Sequence, residues 1–324
     1  MLEFSFKKLA SAAVLASATL LGGFGSQMAT AAAPMAQTPA PGFYRLMVGE
    51  FEVTAINDGT IELPVDQLLN HPEHKTHAAL EKAFLNVPLE TSINAFLVNT
   101  GDRLILIDAG AGVLFGPTLG KFVANLQASG YEPDQIDDIY ITHLHTDHIG
   151  GLVSESVLAF PNAVVHVDKK DADFWLSEDN LNNAPAEDKA SYEAAIAMLT
   201  PYQAAGKFAP FQHKTQFPPG IKAISTYGHT VGHTVYEVES QGQKLWLIGD
   251  LIHVAAVQLD RPKVTIAFDT DQKKAAAQRE RIFKQAAKEG ILIGAAHIQF
   301  PGLGHLRKKG HSYEWIPVNF TQLN

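Results

Sequence analysis

The sequence predicts a layered α/β domain, and two observations carry that prediction. Apolar runs of strand length recur on both sides of the chain midpoint with helical patterns between them. Three of these runs, DDIYITHLH, KLWLIGD and ILIGAAH, each end in a side chain able to bind metal. Ligand sites in layered α/β folds gather beyond the carboxyl ends of strands. The recurrence therefore predicts one site fed by several strands, and one domain of two similar halves rather than two independent domains.

In chain order, Lys7 and Lys8 precede the apolar run LASAAVLASATLLGGFG, which gives way to small residues at MATAAAP. This pattern reads as a secretory signal peptide over residues 1–31, with Ala29-Thr30-Ala31 meeting the small-x-small cleavage rule. Its strongly apolar part is shorter than the roughly 20 residues a membrane span needs, so no stable membrane anchor is expected. Export to the periplasm or medium is. Residues 32–42, AAPMAQTPAPG, read as a flexible tether, and residues 43–324 as a single domain.

The stretch GFYRLMVGEFEVTAINDGTIELP alternates apolar and polar residues around Asn57-Asp58-Gly59, a pattern that predicts an antiparallel hairpin turning there. SINAFLVNTG and DRLILIDAG predict a second strand pair. In GPTLGKFVANLQASG, Leu119, Phe122, Val123 and Leu126 have the spacing of an amphipathic helix ended by Gly130. The segment with His71, His74 and His77 reads as a solvated entry into a helix without an acidic partner nearby, and Arg307, Lys308 and Lys309 as a solvated turn.

The formal charge is -9, and removing residues 1–31, which carry Glu3, Lys7 and Lys8, takes it to -10. So acidic a surface argues against nucleic acid and anionic lipid as partners. The chain has no cysteine, which excludes disulfides and cysteine-ligated zinc.

ITHLHTDHIGG places His143, His145, Asp147 and His148 within six residues. In an extended segment i and i+2 point the same way, so His143 and His145 can grip one ion while the turn through Thr146 delivers Asp147 and His148 to a neighbouring one. The remaining ligands come from later segments: His229 or His233 of GHTVGHT, Asp250 of LIGD and His297 of GAAH. Seven ligands then divide into three nitrogens for one metal and two nitrogens with a carboxylate for the other, with a second carboxylate between them. Imidazole and carboxylate donors without thiolate suit zinc best, ahead of manganese, cobalt or iron. Two such ions supply a nucleophilic water near neutral pH. Asp108 ends a strand in an IDAG turn and is expected to act structurally beside the site.

The pattern of His143, His145, Asp147 and His148 followed by GHTxG, GD and a late histidine resembles the metallo-β-lactamase superfamily. INAFLVNTG, LFGPTLG, FPNAVVHVDKKDADFWLS, VESQGQKL, GDLI and FPGLGH look like its branch of methyl parathion hydrolase and related exported lactonases. The resemblance implies a four-layer αββα sandwich, two divalent metal ions and a homodimer. It also picks His229 over His233, leaving His233 beside the site.

The same resemblance implies an aromatic wall of Phe115, Trp175 and Tyr192. His253, Ile266 and Phe268 stand where methyl parathion hydrolase has small or aliphatic residues, and would narrow the pocket. Few arginines or lysines flank the ligands, which favours neutral substrates. A planar carbonyl needs less room than a tetrahedral phosphorus, so an aryl lactone or aryl ester ranks above a phosphotriester. In the expected mechanism Asp250 bridges the ions, and Asp147 or a metal-bound water handles the proton. The contrasting reading is a non-catalytic exported zinc-binding protein; a β-lactamase reading rests on the shared metal motif alone.

Overall fold

Alternation along the strands sorts the side chains into layers. In Leu89–Asn99, Phe96 and Val98 face one apolar cluster while Ala95 and Leu97 face another. In Gln243–Leu247, Leu245 and Leu247 face the first of these clusters, and Trp246 points the other way into a third. A sheet buried on both sides needs this period of two.

The computed structural model describes residues 35–37, 39–212 and 214–323. The expected signal peptide with its cleavage point at Ala31, part of the tether and His213 lie outside the described residues. Ala40–Asn324 forms one compact unit.

The first sheet runs in the order β1 (Phe43–Val48), β2 (Phe51–Leu63), β3 (Leu89–Asn99), β4 (Leu104–Ile107), β5 (Asp138–Tyr140) and β8 (Val164–His166). Its first four strands are antiparallel neighbours, and its last three are parallel. The second sheet runs β14 (Ser312–Pro317), β13 (Leu303–Lys309), β12 (Leu292–Gly294), β11 (Gln243–Leu247), β10 (Thr234–Ser240) and β9 (Ile221–Ser225). A short ribbon, β6 (Val153–Ser154) with β7 (Val157–Leu158), stands apart.

The sheets pack face to face through Phe96, Ile105 and Ile107 against Tyr236, Val238 and Leu247. Outside the first sheet lie α3 (Phe122–Ala128) and α7 (Lys189–Ala204), whose Leu126 and Leu199 join Leu106 and Ile139. Outside the second lies α9 (Gln272–Glu289), whose Ile282 and Phe283 pack on Trp246 and Ile293. The result is the four-layer αββα sandwich. Each fully buried leucine, isoleucine or phenylalanine in these layers contributes about 1.5–3 kcal/mol relative to exposure. The shorter helices α1 (Val65–Leu68), α2 (Glu73–Lys82), α4 (Thr146–Ile149), α5 (Lys169–Trp175), α6 (Glu178–Asn183) and α8 (Ala255–Gln258) sit in the connections.

Several expectations need correction. The first hairpin turns at Gly49 and Glu50, not at Asn57-Asp58-Gly59, which forms a bulge inside β2. Asp58 is fully buried, and its carboxylate accepts the backbone N–H groups of Ala111 at 2.9 Å and Phe122 at 2.8 Å. A turn-type residue thus ties down two distant loops. Leu119 lies before the helix, because Gly120 at φ +78° breaks helical geometry ahead of Phe122.

Arg307, Lys308 and Lys309 end a strand rather than form a turn; alternation with buried Leu306 leaves Arg307 outward, paired with Glu314. The helix after His71 forms as expected, but His77 does have an acid, Asp66 at 2.8 Å, supplied from α1.

Asp138 on β5 is buried and accepts Arg103 Nε at 2.7 Å and His166 Nε2 at 2.9 Å. Burial raises its pKa, but the bond from His166 and the charge of Arg103 outweigh burial and hold the carboxyl below its ordinary value. Its contribution is therefore present above the usual carboxylate range and lost as pH falls through the depressed value. Asp138→Asn should cost about 2 kcal/mol at neutral pH and less in acid. Urea unfolding at the two pH values checks this, and an equal loss at both would refute it.

Candidate metal centre

Both sheets deliver donors to one point. After β5, Thr142 receives support from Asp108, whose Oδ1 accepts the Thr142 N–H at 2.7 Å. His143 and His145 follow with ring centroids 4.6 Å apart, His145 in extended geometry, and α4 then turns Asp147 and His148 inward. From the second sheet come His229, before β10, Asp250, just past β11, and His297, past β12.

Two donor groups result: His143, His145, His229 and Asp250, and Asp147, His148, Asp250 and His297. Within each group the donor atoms all lie within 4.8 Å of one another. Asp250 belongs to both. Its Oδ2 lies 3.5 Å from His143 Nε2 and 3.3 Å from His229 Nε2, while its Oδ1 lies 3.0 Å from both His148 Nε2 and His297 Nε2. The carboxylate of Asp147 lies 3.4 Å from His297 Nε2.

The donors fit divalent metal. His143 Nε2, His148 Nε2 and Asp250 Oδ1 are buried with no hydrogen-bond partner. Each such atom left unpaired costs about 1–3 kcal/mol, which an ion between the groups would remove. The outer ring nitrogens are meanwhile held. His148 Nδ1 meets Asp108 Oδ2 at 2.8 Å, His229 Nδ1 meets Asp269 Oδ1 at 2.8 Å, and His297 Nδ1 meets the Ser92 carbonyl at 3.1 Å. Bonds of this kind orient imidazoles for metal.

Burial, and then neighbouring imidazoles, hold His143 and His145 well below the usual histidine range. That is the neutral, ligating form. Burial opposes charge on His229, yet Asp250 and Asp269 outweigh it and lift the ring to about 9. Burial would raise Asp250, but His148 and His297 overcome it and hold the carboxylate ionised.

His233 lies outside both donor groups. Its Nδ1 meets Thr226 Oγ1 at 2.7 Å, and its Nε2 accepts the Asp250 N–H at 3.1 Å. Burial lowers this ring to about 3, which keeps the acceptor nitrogen unprotonated. Gly249, at φ +48°, leaves room for it, since a Cβ there would come within 2.9 Å of His233 Nε2.

A cavity of about 560 Å³ opens over the centre. Phe115, Trp175, Tyr192, His253 and Phe268 line it. Ile266 does not: it is fully buried among Val65, Leu69 and Val264, because the chain beside it turns Ala267 and Phe268, not Ile266, toward the cavity.

Two carboxylates beside the centre escaped the sequence reading. Asp269 orients His229. Asp171 accepts the N–H groups of Leu144 at 3.0 Å and Gly232 at 2.6 Å and the Thr230 hydroxyl at 2.9 Å, stitching two ligand loops together. The available signal was an aspartate on an otherwise apolar face, in DADFW and in TIAFD. Ile61, Leu63 and Ile93 also line the cavity, and alternation alone marks them only as strand residues.

The family model of the metallo-beta-lactamase superfamily matches residues 89–297, which contain all seven donors. The chain belongs to this superfamily. AbOPH, a hydrolase of known structure in the beta lactamase superfamily, is 40% identical, with 88% of this chain and 100% of that one aligned at a TM-score of 0.84. AidC, a dizinc quorum-quenching lactonase solved with a hexanoyl-homoserine product, is 30% identical over 87% of this chain and 99% of its own, at a TM-score of 0.80. A probable metallo-hydrolase of Mycobacterium tuberculosis is 24% identical over 216 residues, 60% of this chain and 68% of that protein. The superfamily member described here is thus a metal-dependent hydrolase by kinship and by its donor set.

Proposed function

We propose that the protein is an exported dizinc hydrolase of neutral esters, acting first on aryl lactones or aryl esters and second on phosphotriesters, in the manner of the methyl parathion hydrolase branch. The observation that carries the ranking is the pocket wall. His253 Nε2 lies 3.1 Å from Asp250 Oδ2, and Phe268 lies 6.0 Å from the His253 ring, so the cavity is narrowed beside the donors. AidC, a lactonase with 30% identity, supports the same ranking. We further propose a homodimer and no nucleic-acid partner. Among the described residues no helix is long and apolar enough to cross a membrane.

Held by the seven donors, two ions would supply Lewis acidity and a water nucleophile near neutral pH. The chain's own groups place the substrate. Trp175 stands edge-on to His145 at 5.4 Å and tilts against Tyr192 at 4.7 Å, making a flat apolar wall for an aryl or lactone ring. Phe115, partly exposed, lines the same cavity. Asp147 is the donor carboxylate that solvent reaches, with 19% of its side chain exposed. Its Oδ2 faces His148 and His297, leaving Oδ1 to take up and return the proton. A phenolate leaves as an anion and needs no strong general acid.

The metal-loaded protein should be tried on a lactone, an aryl ester, a phosphotriester and a lactam. Chelator-sensitive turnover of any of them refutes a non-catalytic zinc-binding protein, and a preference for the phosphotriester reverses the ranking. His253→Leu with Phe268→Leu should raise phosphotriester kcat/KM relative to lactone kcat/KM about tenfold, or 1.4 kcal/mol, by admitting the phosphoryl substituents. An unchanged ratio would remove both residues from the specificity argument.

A further inference from the structure

A second cavity, of about 510 Å³, lies away from the metal centre between α2 and α8. Its floor is apolar, built from Ala78 and Ala79 of α2, Ala255 and Ala256 of α8, and the Tyr313 side chain. Its rim is cationic. Lys75 and Lys82 are two helical turns apart and so share one face of α2, and Arg261 stands across from them in the segment that follows α8.

In a chain of net charge -9 this gathering of positive groups is out of keeping. None of the three forms an ion pair among the described residues, although nearby Lys263 pairs with Glu280 and Lys274 with Asp271. The cavity contains one acid, Asp260. Like charges held around a cleft repel one another, and an anion relieves that repulsion.

His71 adds an independent sign. It lines the same cavity, and its Nε2 is buried with no hydrogen-bond partner. Thr76 Oγ1 lies 3.0 Å from its Nδ1, so Nε2 is the ring nitrogen left for a ligand. Burial, and then the charges of Arg261 and Lys75, hold the ring below its usual range, which places those cations within electrostatic reach of it.

We propose that the α2–α8 cleft binds an organic anion, with a carboxylate or phosphate head among Lys75, Lys82, Arg261 and His71 and an apolar body on the alanine floor. The guanidinium of Arg261 suits either head, because its fork matches both oxyanions. A cavity of this size holds far more than an inorganic ion, so the apolar body is part of recognition.

Calorimetric titration of the zinc-loaded full chain with 4-phenylbutyrate tests the site. Lys75→Gln with Arg261→Gln should weaken binding at least tenfold. These exposed positions leave the fold intact. Ala256→Trp, which fills the floor and keeps every cation, should do the same. 4-Phenyl-1-butanol and inorganic phosphate should each bind at least tenfold more weakly than 4-phenylbutyrate. Tighter binding of phenyl phosphate than of 4-phenylbutyrate would assign the phosphate head, and the reverse the carboxylate. Affinity unchanged in both variants would place the probe at the metal centre and overturn the proposal. Equal binding of the alcohol would overturn the anionic head, and equal binding of inorganic phosphate the apolar floor.

Discussion

Asp250→Ala should lower kcat/KM by on the order of a thousandfold, about 4 kcal/mol, and reduce bound metal from close to two ions per chain to one or fewer. The reason is its position. One oxygen faces His143 and His229 and the other faces His148 and His297, so a single carboxylate serves both donor groups. Its loss takes away the carboxylate on which four buried imidazoles converge, and removing one partner of a buried pair costs about 3–5 kcal/mol. Atomic emission on the purified variant, with kinetics on the best substrate of the panel, checks both parts. Two retained ions with activity within tenfold of wild type would sink the dinuclear arrangement.

His229→Ala and His233→Ala should separate cleanly. His229 presents Nε2 to Asp250 and is oriented from behind by Asp269, so its loss should weaken the ion held by His143 and His145 by at least about 100-fold. His233 accepts the Asp250 N–H and packs its ring against those of His143 and His229, at centroid distances of 5.2 and 5.6 Å, but belongs to neither donor group. Its loss strands one buried donor, at about 1–3 kcal/mol, and should lower kcat about tenfold while both ions stay bound. Chelator competition reads the first effect, and kcat at saturating substrate the second. If His233→Ala loses metal and His229→Ala keeps it, the assignment within GHTVGHT is reversed.

The contrast between these histidines shows how far the sequence could be read. Four donors in ITHLHTDHIGG are close along the chain, so backbone geometry alone brings them together, and their grouping follows from the extended segment and the turn at Thr146. The choice between His229 and His233 is different. Both are fully buried and both sit in the same loop, and spacing leaves them equal; the resemblance favoured His229, and it is the packing of Asp269 behind that ring that sets it among the donors.

The pocket was legible only in part. Phe115, Trp175, Tyr192, His253 and Phe268 reach the cavity, but Ile266 does not, because one step along a turning chain moves a side chain from the cavity to the cluster around Val65 and Leu69.

What the sequence determined by itself is whatever depends on local spacing: strand alternation, the layered α/β class, and a cluster of imidazole and carboxylate donors with no thiolate among them. Tertiary structure alone decided the long-range partners. Asp58 looks like a turn residue, yet it holds Ala111 and Phe122 from inside a strand, and Asp171 joins loops that begin at Leu144 and Thr230. The physical reason is that a buried carboxylate must find donors wherever the fold supplies them, and those donors are backbone N–H groups present at almost every residue. A donor of that kind leaves no mark in the sequence, so only the packed chain shows which ones are used.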